Sequence, residues 1–125
     1  MADKKKILIA EDEEGIRIAL AEELRNQGLE VIEAEDGQKA LDMALANHPD
    51  SIILDFIMPK MHGKDVLKKL LMDDWGSAVP VIILTNYTID VEVKKMVEEK
   101  EQIVHLDKTE IDIKQVVDKI KEMVK

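Results

Sequence analysis

Short apolar runs alternate along the chain with stretches whose apolar residues recur every three or four positions. The runs lie at residues 7–10, 29–33, 51–54, 81–84 and 103–106. A short apolar run that ends in polar residues is typical of a β-strand, and apolar residues spaced three or four apart are typical of an amphipathic helix. The pattern therefore predicts strands and helices in strict alternation along the chain.

The helical stretches have one apolar face each and recognisable capping residues. Gly28 follows the first stretch, where a glycine commonly ends a helix, and residues 36–37 (Asp-Gly) open the second. Thr88 and Thr109 are the predicted N-caps of the fourth and fifth helices. The apolar faces, from the first helix to the fifth, are predicted to carry Ile16, Leu20 and Leu24; Ala40, Leu41, Ala44 and Leu45; Val66, Leu67, Leu70 and Leu71; Ile89, Val93, Met96 and Val97; and Ile113, Val116, Val117, Ile120 and Met123.

Strands that alternate with helices form a parallel sheet, because each helix returns the chain to the same end of the sheet. The fully apolar stretches 52–54 and 81–84 indicate strands that are buried on both faces. In 29–33 polar and apolar residues alternate, as in an edge strand. We therefore expect an α/β fold: a single doubly wound domain across residues 1–125, with a five-stranded parallel sheet between two layers of helices.

The composition limits the classes of protein to which the chain can belong. Of its 125 residues, 39 are Ile, Leu, Val or Phe, and no stretch of about 18 apolar residues is present, which argues against a membrane span. The chain has no Cys, which excludes disulfides, thiolate metal sites and a Cys nucleophile and fits a reducing, cytoplasmic setting. Its formal net charge of −9 argues against a nucleic-acid partner.

Polar residues with directed chemistry follow the predicted strands at the point where each strand ends. Glu11 and Asp12 follow the first strand, Asp55 the third, Thr85 the fourth, and Lys108 lies just after the fifth. In open α/β sheets, ligands bind beyond the carboxyl ends of the strands. If the first and third strands are neighbours, the three carboxylates converge in one pocket.

Carboxylates that converge must be neutralised. Two charges about 4 Å apart repel by roughly 4 kcal/mol at an effective dielectric constant near 20. A hard divalent cation is the natural neutraliser, and Mg²⁺ (or Mn²⁺) suits a site built from carboxylates, waters and a substrate phosphate. Lys108 would add a second positive charge, and Thr85 would add a hydroxyl donor.

The order and spacing of these motifs resemble those of the receiver domain of two-component response regulators. The resemblance rests on residues 7–13 (ILIAEDE), on 55–59 (DFIMP) with Gly63 four residues further on, on 81–85 (VIILT), and on Lys108. It extends from about residue 5 to residue 124. Any one motif alone is weak, and the combination is specific.

The resemblance implies a flavodoxin-like (βα)5 fold with strand order 2-1-3-4-5. It implies that Asp55 accepts a phosphoryl group from a histidine kinase or a histidine phosphotransfer protein, and that Thr85 and Lys108 contact that group. Phosphorylation would switch the face of the fourth helix, fifth strand and fifth helix toward a downstream protein target. A homodimer through the fourth and fifth helices is left open. The implied metal ligands are Glu11, Asp12, Asp55 and the backbone carbonyl of Ile57.

Three residues depart from the pattern of the family. Thr109 stands where proline usually follows the lysine, and a cis bond before a non-proline residue costs about 3 kcal/mol, so we expect a trans bond after Lys108. Asn86 replaces a small residue beside the predicted phosphoryl site, and we expect slower phosphorylation, slower dephosphorylation, or both. His105 replaces an aromatic switch residue, and a switching role and a plain strand histidine are both open.

Other functions are compatible with parts of the pattern. A pseudo-receiver interaction module would need no phosphorylation, and Asn86 and Thr109 favour it. An aspartyl-phosphate phosphatase would need a general acid two residues after Asp55, where Ile57 cannot transfer protons. A flavin mononucleotide binder would need a phosphate-binding loop after the first strand, where acids stand instead. The leading hypothesis is a signalling domain, not a conventional enzyme, that catalyses its own phosphorylation and slow dephosphorylation.

Overall fold

The computed structural model describes residues 4–86 and 88–125 and shows the predicted alternation of strands and helices. Residues 1–3 and Tyr87 lie outside the described residues, and with them the first residues of the predicted domain. The strands are β1 (Lys6–Ala10), β2 (Glu30–Ala34), β3 (Ser51–Leu54), β4 (Val81–Thr85) and β5 (Ile103–Asp107). The helices are α1 (Glu14–Asn26), α2 (Gly37–Asn47), α3 (Gly63–Leu71), α4 (Val91–Glu99) and α5 (Ile113–Met123).

The strands form one parallel sheet in the order β2-β1-β3-β4-β5. Ile7 of β1 pairs with Val31 of β2 on one side and with Ser51 of β3 on the other. The predicted α/β, flavodoxin-like fold is therefore confirmed, as is the edge position of β2. The order reverses between β1 and β3, so the loops after these two strands lie side by side.

The core consists of two apolar layers, one on each face of the sheet. Alternate residues of a strand point to opposite faces. Ile7 and Ile9 of β1 pack with α1 and α5, whereas Leu8 and Ala10 pack with α2, α3 and α4. Complete burial of an aliphatic side chain contributes about 1.5–3 kcal/mol. This two-sided packing explains why the inner strands contain continuous apolar runs.

Two predicted helix termini are confirmed. Gly28 has a φ of +84°, in the left-handed region that favours glycine, and lies just past the end of α1. Asp36 is the N-cap of α2, where its carboxylate accepts a hydrogen bond from the backbone N–H of Lys39 at 2.7 Å.

Two predicted N-caps are wrong. The N-cap of α4 is Asp90, not Thr88, and its carboxylate accepts from the N–H of Val93 at 2.9 Å. The N-cap of α5 is Asp112, not Thr109, and it forms a reciprocal capping box with Gln115. In both cases an aspartate closer to the helix supplies an acceptor for the free N–H groups of the first turn.

One predicted apolar face is too wide. Leu45 of α2 is 39% exposed, whereas the sequence pattern places it on the buried face. The helix packs on the sheet through Ala40, Leu41 and Ala44. Leu45 lies one residue further around the helix, which turns its side chain toward solvent.

The described helices are all too short and too polar to cross a membrane.

Candidate functional site

The backbone hydrogen bonds of the sheet continue one residue past β1 and β3 and bring Glu11 and Asp55 together. The N–H of Glu11 donates to the carbonyl of Ala34 at 3.0 Å, and the N–H of Asp55 donates to the carbonyl of Ala10 at 3.0 Å. Glu11 and Asp55 therefore leave neighbouring strands side by side. Together with Asp12 they place one oxygen each within 4.8 Å of one another.

Lys108 reaches into this acidic cluster from the end of β5. Its Nζ atom lies 2.6 Å from Oε1 of Glu11 and 3.0 Å from Oδ2 of Asp55. The side chains of all three are largely buried, with exposed fractions of 8% for Lys108, 2% for Glu11 and 7% for Asp55. Asp12 and Glu13 are exposed, and Glu13 lies 3.9 Å from the ammonium group. The single positive charge of the lysine thus compensates the two buried carboxylates in part.

Burial and charge act in opposite directions on these groups. Burial raises the pKa of Glu11, the hydrogen bond and charge of Asp55 raise it further, and Lys108 only partly offsets this. Burial by itself would lower the pKa of Lys108, but the hydrogen bonds to Glu11 and Asp55 outweigh it and the pKa is raised. Lys108 therefore remains an ammonium group at neutral pH.

The acidic cluster has the donor set of a hard divalent cation. Its ligand atoms are carboxylate oxygens, and they already lie within 4.8 Å of one another. Oε2 of Glu11 is buried and has no hydrogen-bond partner among the described residues. A buried carboxylate oxygen without a partner is costly, and a cation would satisfy it. The residues present therefore fit Mg²⁺ or Mn²⁺.

A cavity of about 100 Å³ opens next to the acidic cluster. Its volume corresponds to a few water molecules, each of which takes about 30 Å³ in the liquid. The cavity gives a small charged group access to Asp55 from solvent. It is lined by Asp12, Glu13, Asp55, Ile57, Asn86 and Lys108.

Of Thr85, Asn86 and His105, only Asn86 is among the described residues that line this cavity. Thr85 is buried, and its carbonyl accepts the N–H of Lys108 at 3.1 Å. Asn86 is exposed and lines the cavity. His105 pairs with Ile83 in the sheet and is not among the lining residues described. Its Nε2 atom is buried without a hydrogen-bond partner in the described part of the chain.

The loop between β3 and α3 is packed too closely to accept extra atoms. A β-carbon on Gly63 would lie 2.2 Å from the carbonyl oxygen of Asp55. A β-carbon on Gly37 would lie 1.7 Å from the carbonyl oxygen of Met61. Within the loop the N–H of Ile57 donates to Oδ1 of Asp55 at 3.3 Å. The backbone that follows Asp55 therefore approaches both glycines more closely than a residue with a β-carbon would allow.

The peptide bond after Lys108 is trans, as predicted, because the described residues contain no cis peptide bond. Lys108 still reaches both carboxylates from this backbone. Thr109 in place of proline therefore does not turn the lysine away from the acidic cluster.

Arg17 supports the site, and the sequence patterns did not predict this role. Its Nη1 donates to the carbonyl of Glu11 at 3.0 Å, and its Nε lies 3.4 Å from Oε1 of Glu33 on β2. The arginine ties the loop after β1 to the neighbouring strand. Its only signal in the sequence is an opposite charge on the edge strand, which does not identify a partner.

Comparison with known proteins places the chain in a family. A family model described as "Response regulator receiver domain" matches residues 7–121. The chain is similar to the probable transcriptional regulator ycf27 of Cyanophora paradoxa, with 41% identity over 83 residues, which cover 66% of this chain and 34% of that protein. It is also similar to the sporulation initiation phosphotransferase F of Bacillus subtilis, with 39% identity over 83 residues, which cover 66% of this chain and 65% of that protein.

The fold agrees with that of a solved structure. The chemotaxis protein CheY4 of Vibrio cholerae matches with a TM-score of 0.82 and 27% identity, over 97% of this chain and 99% of that one. The chain spans only part of the length of both curated relatives, about a third of the first. Since the family model covers most of the chain, the protein belongs to the response regulator receiver domain family.

Proposed function

We propose that Asp55 is the phosphoacceptor of this domain. The observation that carries the proposal is the position of Lys108, whose Nζ lies 3.0 Å from Oδ2 of Asp55 inside the acidic cluster. Asp55 is 5% exposed but lines a cavity open to solvent, so a small phosphorylated group can approach it. A carboxylate that is held, charge-compensated and accessible has the properties of a nucleophile for phosphoryl transfer.

The chemistry requires placement and charge more than covalent help. An oxygen of Asp55 forms a bond to phosphorus while the bond between phosphorus and the donor breaks, and the donor leaves with that electron pair. Lys108 is placed to stabilise the negative charge that spreads over the phosphoryl oxygens. We assign the buried Thr85 as a second contact of the phosphoryl group. A divalent cation held by the acidic cluster would supply further positive charge for the same purpose.

The acidic cluster is the proposed Mg²⁺ site, and Mn²⁺ is the alternative ion. Glu11 supplies a buried carboxylate whose Oε2 has no hydrogen-bond partner among the described residues, and Asp12 supplies one open to solvent. The proposed ligands are Glu11, Asp12, Asp55 and the backbone carbonyl of Ile57.

The proposed phosphodonor is a histidine kinase or a histidine phosphotransfer protein. Membership of the family supports this, as does the similarity to a protein named a phosphotransferase. We further propose that the domain extends over residues 1–125, acts in the cytoplasm, and signals through α4, β5 and α5 to a downstream protein target. The similarity to a probable transcriptional regulator supports a downstream output of some kind, without identifying it.

Asn86 is proposed to tune the rate at this site. Asn86 lines the same cavity as Asp55 and Lys108, and we propose that its side chain restricts access to them. We expect Asn86→Ala to speed phosphorylation, dephosphorylation, or both, in a time course with a small-molecule donor. Unchanged rates would remove this role. A switching role for His105 stays a prediction. The residue is not among the described residues that line the cavity.

The proposal is tested by incubating the protein with acetyl phosphate and Mg²⁺ and following acyl phosphate formation by intact mass spectrometry. We expect phosphorylation that depends on Mg²⁺ and disappears in Asp55→Asn, a substitution that keeps the shape of the side chain. Asp42→Asn changes an exposed aspartate of α2 and serves as the matched control. Equal phosphorylation of Asp55→Asn and wild type would overturn the assignment, and no phosphorylation of wild type would favour the pseudo-receiver alternative.

A further inference from the structure

The chain makes a tight turn immediately after β5, at the point where Lys108 leaves the sheet. Oδ1 of Asp107 accepts two hydrogen bonds from Thr109, one from its N–H at 2.8 Å and one from its hydroxyl at 2.7 Å. The carbonyl of Asp107 accepts a third bond, from the N–H of Glu110 at 3.1 Å. Lys108 is the residue enclosed by this turn.

The turn fixes the backbone from which the lysine side chain extends. On the strand side, the N–H of Lys108 donates to the carbonyl of Thr85 at 3.1 Å. On the far side, Thr109 is tied back to the residue before the lysine. A long charged side chain reaches a defined position only if the backbone from which it extends is itself held in place. The backbone of Lys108 is held on both sides.

The same turn keeps a competing carboxylate occupied. The two donors of Thr109, the hydroxyl first and the N–H second, lower the pKa of Asp107, which therefore stays ionised at neutral pH. Among the described ion pairs, Lys108 binds Glu11, Glu13 and Asp55, and its neighbour Asp107 is bonded to Thr109 instead. An adjacent free carboxylate would compete with the phosphoryl group for the ammonium group.

We propose that Thr109 is a positioning residue: its hydroxyl and N–H hold the carboxylate of Asp107, and the resulting turn directs Lys108 to Asp55 from a trans backbone. Thr109 is not among the described residues that line the cavity, and Lys108, its neighbour in the chain, is the lining residue through which it acts. This role explains how the chain aims the lysine without a proline after it. It rests on the proposed function of Asp55 and Lys108.

The test compares a substitution that removes the hydroxyl with one that keeps it. Thr109→Val keeps the shape of threonine and removes the hydroxyl, whereas Thr109→Ser keeps the hydroxyl. With acetyl phosphate and Mg²⁺, we expect Thr109→Val to be phosphorylated about tenfold more slowly, because small misplacements of a catalytic group cost one to two orders of magnitude in rate. Thr109→Ser should restore most of the rate.

Two further measurements separate positioning from a general loss of structure. Gln115→Ala breaks the capping box at the start of α5, six residues further on, and should leave the rate unchanged. In a Lys108→Ala background, followed over longer times, Thr109→Val should cause no additional slowing, because the residue acts only through the lysine. Thermal midpoints of all variants show whether the rates simply follow stability.

The outcomes distinguish this proposal from the one on which it rests. Phosphorylation of Asp55→Asn at the wild-type rate would defeat the assignment of Asp55 itself. If Asp55 is the acceptor, the role of Thr109 is overturned by a wild-type rate in Thr109→Val, by equal slowing in Gln115→Ala, or by undiminished slowing in the Lys108→Ala background. Failure of Thr109→Ser to restore the rate would also overturn it.

Discussion

Gly63 stands where the backbone of residues 55 and 56 leaves no room for a side chain. A β-carbon added to Gly63 would lie 2.2 Å from the carbonyl oxygen of Asp55 and 2.7 Å from Cα of Phe56. Both are main-chain atoms, which cannot move without displacing the residue that precedes the loop. Without a side chain at Gly63, the start of α3 can pack directly against the backbone of Asp55, the proposed phosphoacceptor.

We expect Gly63→Ala to lower the free energy of unfolding by about 2 kcal/mol or more, since overpacking against fixed atoms costs about 1–3 kcal/mol. Gly15→Ala is the matched control, because an added β-carbon meets nothing within 4 Å there and the residue lies in α1. It should raise stability by up to about 1 kcal/mol, the difference in helix propensity. Urea denaturation measures both, and equal effects of the two substitutions would contradict the close approach.

Single residues also mark the limit of what the sequence predicted. Glu11, Asp55 and Lys108 could be found because each follows an apolar run, and the ends of parallel strands meet at one edge. Arg17 and the turn of Asp107 with Thr109 could not, because their partners are set by the placement of side chains between elements. The sequence shows that a residue can donate a hydrogen bond, but it does not show which acceptor will lie beside it in the fold.

Helix α2 depends on the carboxylate of Asp36, and this cap also borders the site loop. Oδ1 of Asp36 accepts from the N–H of Lys39 at 2.7 Å, and Oδ2 lies 3.6 Å from Nζ of Lys60. The backbone hydrogen bond is the main cause that lowers the pKa of Asp36, and the charge of Lys60 adds to it. The ionised form of Asp36 therefore stabilises the folded state more than the protonated form does.

A lowered pKa in the folded state means that Asp36 stabilises the protein above the ordinary pKa of aspartate, and that this contribution is lost as pH falls through the folded value. We expect Asp36→Asn to resemble wild type at neutral pH, because asparagine is also a good N-cap. It should lose less stability on acidification. Urea denaturation at a series of pH values down to about 3 measures this. An unchanged acid dependence in the variant would rule out the contribution.

The helix termini show why caps are harder to predict than elements. Thr88 and Asp90 both precede α4 and both carry an oxygen that can cap a helix. The apolar pattern begins at Ile89 and therefore favours Thr88 in the sequence. Asp90 prevails in the fold and also pairs with Lys64 of α3 at 2.6 Å. That second contact exists only after α3 and α4 have packed side by side.

On the scale of the whole molecule, an aliphatic core on both faces of the sheet supports an acidic cluster at one edge of that sheet. The chain has a formal net charge of −9, and three of its acids meet beyond β1 and β3. The fold class and strand order were predictable because the apolar runs and the motifs at their ends agree with one another. The match to receiver domains over residues 7–121 confirms that agreement.

Binding of a cation to the folded state alone must stabilise the protein by mass action. We expect Mg²⁺ to raise the thermal midpoint, by an amount equivalent to about 2.7 kcal/mol at a concentration one hundred times the dissociation constant. The increment should disappear in Asp12→Ala and persist in Glu14→Ala, which removes an exposed acid of α1 outside the acidic cluster. Equal increments in the two variants would mean that the ion binds elsewhere.

The most direct test of the central claim is to identify the residue that carries the phosphoryl group. Protein phosphorylated by acetyl phosphate is reduced with borohydride, which converts the acyl phosphate into an alcohol, and the peptides are sequenced by mass spectrometry. We predict the modification at Asp55 alone. Modification at Glu11, Asp12 or any other carboxylate in place of Asp55 would contradict the claim.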